Sequence, residues 1–217
     1  MKKIARQGGF STLELLVVMA MSLIVAAIAI PNFLNVANYL RAAGDLRSLG
    51  GVTAQSKMRA AADFTHARLY VDLAANVYHI EVWNKTNSCW RTDGDRANAC
   101  TAGTSPVMLL SQGVTFGAGG VGSGPTAVTA TIAQAPLCIN KVAGNPGGTG
   151  GTNANTACIE FNSRGIPVDS SNTPVGTGAF YLGNHNAEEA VTVSATGLVR
   201  IWSTNPSCNA ASCWHAQ

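Results

Sequence analysis

Three kinds of residue in this 217-residue chain have types and spacing suited to chemistry: one carboxylate inside a greasy run, six cysteines, and a thin scatter of other ionisable side chains. The carboxylate is Glu14. It follows Gly8-Gly9-Phe10 and the hydroxyl pair Ser11-Thr12, and lies near the start of an apolar stretch that reaches Ile30. An acid at the centre of a bilayer costs about 2.5–3.5 kcal/mol on insertion scales, so a span keeps one where it has a task. The task open to Glu14 is ion pairing. An ammonium brought beside it in an apolar core is held far more strongly than in water, and either charge left alone there is costly.

The six cysteines, Cys89, Cys100, Cys138, Cys158, Cys208 and Cys213, all lie beyond the apolar stretch. Thiols outside the cytoplasm oxidise, so disulfides are expected. Sequential pairing, 89 with 100, 138 with 158 and 208 with 213, is the simplest arrangement, because each bridge closes a loop rich in Gly, Asn, Thr or Asp. Six cysteines still allow fifteen connectivities. No Cys-x-x-Cys occurs, and His66, His79, His185 and His215 show no zinc-ligand spacing, so no metal is expected. Asp93-Gly94-Asp95 could open a calcium loop, but later acidic ligands are missing and Asp-Gly-Asp is ordinary turn chemistry.

Catalysis has little to stand on. There is no G-x-S-x-G, H-E-x-x-H or P-loop, and Gly119-Gly120-Val121-Gly122 does not open a helix as a dinucleotide-binding loop does. Trp83, Trp90, Trp202 and Trp214 suit a core or a disulfide packing better than a platform for bases. The expectation is a protein that is not an enzyme and holds no cofactor.

The elements that must position these residues begin with a helix. Phe10–Ile30 holds 21 residues, about 31 Å at 1.5 Å per residue, which spans a hydrocarbon core of about 30 Å. Lys2, Lys3 and Arg6 precede it, which places the N-terminus in the cytoplasm and the remainder outside. A secretory signal peptide with an A-x-A site at Ala27-Ile28-Ala29 is the plain alternative. Its h-region would be shorter, and Glu14 would serve nothing in a discarded segment. The helical period also continues: Phe33, Val36, Leu40, Ala43, Leu46 and Leu49 make one greasy face, with Asn35, Asn38, Arg41, Asp45 and Arg47 between them. Pro31 predicts a kink, and Gly44 and Gly50-Gly51 predict breaks.

After Phe64 the period becomes two. His66–Leu73 alternates as a half-buried strand, Ala74-Ala75-Asn76 turns, and Val77–Trp83 returns. Residues 84–104 read as an irregular excursion. Short strands follow around Met108–Leu110, Val114–Phe116, Ala127–Ala133, Leu137–Asn140, Ile159–Asn162, Ala179–Leu182, Ala190–Ser194 and Leu198–Trp202, while Gly117–Gly124 and Gly144–Thr156 read as flexible loops. The fold class is α+β: a long N-terminal helix, apolar then amphipathic, packed on an antiparallel β-sheet domain. The predicted division is 1–9 leader, 10–30 membrane helix, 31–63 amphipathic continuation and 64–217 extracytoplasmic β-rich domain.

The formal charge of +3 comes from the leader: without Lys2, Lys3 and Arg6, the 14 basic residues fall to 11, equal to the 11 acidic ones. A near-neutral chain does not have the basic balance of a nucleic-acid binder. Arg164 and Arg200 are the candidates for phosphate contact, and one arginine neutralises about one phosphate, too few for useful affinity at physiological salt.

The N-terminal arrangement, Gly8-Gly9-Phe10-Ser11-Thr12-Leu13-Glu14 behind a short basic leader, closely resembles the class III signal of type IV pilins and pseudopilins. Met58-Arg59 to Leu73, Ile159–Gly165 and Val193–Ile201 resemble the H-type (GspH) pseudopilin and FimT-type minor pilin group. The resemblance implies a prepilin peptidase that cuts between Gly9 and Phe10 and N-methylates Phe10. It implies Glu14 as the fifth mature residue, pairing with a neighbouring subunit's terminal amine during assembly. The implied setting is the inner membrane, single-pass, with the C-terminal domain in the periplasm, and then a type II secretion pseudopilus or type IV pilus built with other pilins or pseudopilins. Two alternatives remain open: a DNA-binding minor pilin for DNA uptake, as some FimT-type relatives are, and a signal-anchored extracellular domain unrelated to filaments.

Overall fold

The computed structural model describes residues 11–94, 100, 106–125, 132–139 and 151–217. Gly9, Phe10, Asp95 and most of the strand expected at 127–133 lie outside the described residues. The chain divides into two units, residues 1–37 and 38–217.

The first helix, α1, runs without interruption from Thr12 to Ala62. It continues through Pro31, and the glycines at 44, 50 and 51 do not break it, contrary to the expectation from propensity. Within 38–62 the reason is tertiary: Ala42, Ala43, Leu46, Leu49, Val52 and Ala60 are buried, and their packing outweighs roughly 1 kcal/mol lost per glycine. Gly50 is moreover required there, since a Cβ would lie 2.8 Å from Ile201 Cγ2. The helix ends in a Schellman turn. Phe64 N–H donates to Ala61 O at 3.3 Å and Thr65 N–H to Ala60 O at 3.0 Å, with Phe64 at φ +47° where glycine is usual.

In the second unit the strands form two antiparallel sheets. The first contains β1 (Ala67–Asp72), β2 (Val77–Asn84), β3 (Cys89–Thr92), β4 (Met108–Leu109), β6 (Thr156–Phe161) and β7 (Pro167–Val168), in the order β3-β2-β1-β6-β7, with β4 sharing the β2 edge. The second contains β5 (Thr115–Phe116), β8 (Thr177–Gly183), β9 (Glu188–Ser194), β10 (Val199–Thr204) and β11 (His215–Ala216), in the order β11-β10-β9-β8-β5. The excursion after residue 84 therefore begins with an ordered strand: β3 pairs with β2 from Glu81↔Thr92 to Asn84↔Cys89.

Period-two alternation sends Leu69, Val71, Ile80, Val82, Ile159 and Phe161 from the first sheet, and Phe180, Leu182, Val191 and Val193 from the second, into one core with α1. A smaller cluster of Val121, Ala179, Tyr181, Ala190, Trp202 and Trp214 covers the other face of the second sheet. This refines two expectations. Strand β1 keeps the expected alternation at Leu69, Tyr70, Val71 and Asp72, but Arg68 on its outer face is buried as well. The Gly117–Gly124 tract is not simply a loop in solvent, because Val121 is buried and Gly119 lies tight against Glu188.

Candidate functional site

The helix start is built by Ser11. Its Oγ accepts the Glu14 N–H at 3.2 Å, and its carbonyl accepts Leu15 N–H at 3.2 Å, so Ser11 is the N-cap and Glu14 the third helical residue. Ser-x-x-Glu is a capping-box pattern, a signal present in the sequence that the reading of Glu14 as a membrane acid passed over. Cap and carboxylate thus sit together at the positive end of the helix dipole, which favours an acid. Along this helix, Leu13, Leu16, Leu23, Ile24 and Phe33 each expose between 63% and 73% of their surface. Two polar side chains on this stretch fold back on the helix: Ser22 Oγ donates to Val18 O at 2.6 Å and Asn32 Nδ2 to Ile28 O at 3.1 Å. The result is a rod that is apolar on every side, and the one helix among the described residues long and apolar enough to cross a membrane.

In the second unit, polar ties fix α1 to element after element. Asn184 Nδ2 donates to Asn38 O at 2.8 Å, Ser48 Oγ meets Tyr78 Oη at 2.8 Å, and Arg59 Nε donates to Asp93 Oδ2 at 2.9 Å. Asp45, buried, accepts Ser111 N–H at 2.8 Å and Ser111 Oγ–H at 3.0 Å. Lys57 Nζ donates to Gly197 O at 2.9 Å, where the turns holding Gly165 and Gly197 abut. The Ile159–Gly165 and Val193–Ile201 segments, distant in sequence, therefore meet over one helical lysine.

The remaining candidates are distributed. Arg164 lies exposed in the β6–β7 turn, and Arg200 exposed on β10, where it lines a groove of about 440 Å³ with Arg47, Gly50, Gly51 and Gln217. Asp93, half of the calcium candidate, is taken by Arg59. Among the described residues no group of three or more His, Cys, Asp or Glu is placed to hold a metal. Cysteines pair as Cys89–Cys100, Cys138–Cys158 and Cys208–Cys213, with Cα separations of 5.6, 5.0 and 6.1 Å. Trp83, Trp90, Trp202 and Trp214 are all buried.

Two groups of charged residues went unread in the sequence. On the outer face of the first sheet, Arg68 Nε donates to Glu81 Oε2 at 2.6 Å and Nη1 to Ile139 O at 2.9 Å, with the guanidinium 4.3 Å from the Trp90 ring centre. Burial works against charge on Glu81, but Arg68 and His79 outweigh it and hold the carboxyl below its ordinary range. Cross-strand spacing could have found this pair, since β1 and β2 place Arg68 directly opposite Glu81. On β9, burial pushes Glu188 up to about 7. Glu189 goes to about 8, mainly through burial, with Asp45 adding to it. Adjacent acids opening an apolar strand signal that one must face inward.

No protein-family model and no curated protein matches the chain. Among solved structures, it is similar to the minor pseudopilin EpsH from the Type 2 Secretion System of Vibrio cholerae, with a TM-score of 0.44 and 9% sequence identity over 77% of this chain and 98% of that one.

Proposed function

We propose that this chain is a minor pilin or pseudopilin, a structural subunit with no chemistry of its own. In this reading it starts as a single-span inner-membrane precursor with residues 1–9 as leader. Prepilin peptidase cuts between Gly9 and Phe10, Phe10 is N-methylated, and the product joins other pilins or pseudopilins in a secretion pseudopilus or a type IV pilus. One observation carries the proposal: a helix whose large apolar side chains from Leu13 to Phe33 are exposed, with a single carboxylate at its first turn. So large an apolar surface needs lipid or neighbouring helices to cover it. Once packed among such helices, an unpaired Glu14 is costly, and the amine freed at Phe10 is the cation that relieves it. This gives assembly a register.

Mass spectrometry of the membrane-extracted protein tests processing, with loss of residues 1–9 and a methylated Phe10 expected. A mature terminus near Ile30 refutes the reading. Glu14→Ala and Glu14→Gln are expected to insert, fold and oxidise normally but to be lost from sheared filaments, or to stop secretion of a reporter. Normal incorporation of both would leave Glu14 without this role.

The DNA-uptake reading gains one residue, because Arg47 shares the groove of Arg200. Two guanidinium groups release too few counterions for tight binding at physiological salt.

A further inference from the structure

Along the seam between α1 and the two sheets, Asn38, Asp45, Ser48 and Lys57 are tied by hydrogen bonds. Glu189 is fully buried, and neither carboxyl oxygen has a hydrogen-bond partner. Alternation along β9 puts it on the same face as Val191 and Val193, toward the core and α1. Its strand neighbours are uncharged: Leu182 on β8 and Ser203 on β10. The charges acting on it are Asp45 and Arg47 of α1 and Glu188 beside it on β9. Arg47 is exposed and makes no hydrogen bond to it among the described residues, and Asp45 is a buried carboxylate already serving Ser111. A carboxylate here would be desolvated, unpaired and set against a second anion, whereas the neutral acid fits.

We propose that Glu189 is a proton-operated latch on the α1–β9 seam: protonated, it lets the helix close on the second sheet, and ionised, it loosens that contact. The latch is independent of how the N-terminal helix is used.

The sign follows from proton linkage. In the unfolded chain Glu189 titrates near 4.3, while in the folded protein it keeps its proton to about 8. Between these values the folded state binds the extra proton, so stability is greatest below the window, falls as pH rises through it, and levels off above. Glu188, on the other face against Gly119 and Gly183, adds to the fall up to about 7.

The test uses the full chain in detergent micelles. For wild type, the unfolding constant is expected to rise up to tenfold per pH unit from Glu189 alone across the window. Glu189→Gln, which keeps the shape without the charge, should remove about one proton from that slope, whereas Glu188→Gln should keep the Glu189 component up to about pH 8. In the Glu188→Gln protein, the infrared C=O band of a protonated buried carboxyl should persist at pH 6 and fade with a midpoint near pH 8. Hydrogen-exchange protection, corrected for intrinsic rates, should fall over that change at residues 42–53 and in β9 before it falls in β1. An equal pH slope in Glu189→Gln, no protonated band at pH 6, or a protection loss that spares the α1–β9 seam would overturn the proposal. The infrared arm decides the matter even if Glu189→Gln does not fold.

Discussion

Arg68→Met is the substitution that most directly tests how the first sheet is covered. Methionine preserves much of the apolar stem but removes a guanidinium that bonds Glu81 at 2.6 Å and Ile139 O at 2.9 Å, and stacks on Trp90. Glu81 is then left 1% exposed, with His79 at 3.4 Å as its remaining ionisable neighbour. Breaking a buried pair from one side costs about 3–5 kcal/mol, because the other charge stays uncompensated. For a folded unit of about 180 residues, 1 kcal/mol corresponds to about 2–4 °C, so the midpoint should fall by about 6–20 °C. Thermal unfolding of the full chain in detergent, followed by near-ultraviolet circular dichroism of Trp83 and Trp90, reads this directly. The double variant Arg68→Met/Glu81→Met should recover most of the loss, since no charge then remains inside. Because Glu81 titrates below its ordinary range, the stability it contributes is present above about pH 4.3 and is lost as pH falls through its folded titration. The double variant should lose that acid sensitivity. If the double variant is as unstable as the single one, the guanidinium acts by packing rather than by compensating Glu81, and the reasoning fails.

Replacing Cys138 and Cys158 together by serine should cost about 3 kcal/mol, read as a lower urea midpoint with a somewhat steeper slope, because the unbridged unfolded chain exposes more surface. Gly197→Ala should destabilise by more than about 1 kcal/mol, because residue 197 sits at φ +75° and a Cβ would lie 2.2 Å from Gly165 O; equal urea midpoints for wild type and variant would show that the abutting turns do not matter. Gly51→Ala meets nothing within 4 Å in an exposed helical position and should raise stability by up to about 1 kcal/mol in the same assay.

Sequence alone determined what depends on local pattern. The 3.6-residue period of Phe33 to Leu49 and the two-residue period after Phe64 fix the helix and most strands. The acid at Glu14 was legible for the same reason: a charge inside an apolar run stands out without knowing the fold. Tertiary structure decided the rest. Propensity breaks α1 at its glycines, and packing of Ala42, Leu46, Leu49 and Val52 keeps it whole. Alternation put Arg68 in solvent, and only pairing with β2 and the approach of Trp90 and Ile139 turned that face inward. Likewise, Glu189 and Asp45 lie more than a hundred residues apart in the chain, so their mutual repulsion exists only once β9 is folded against α1. Burial of a charge is a property of what covers it, and what covers it is chosen by contacts that a local window does not contain.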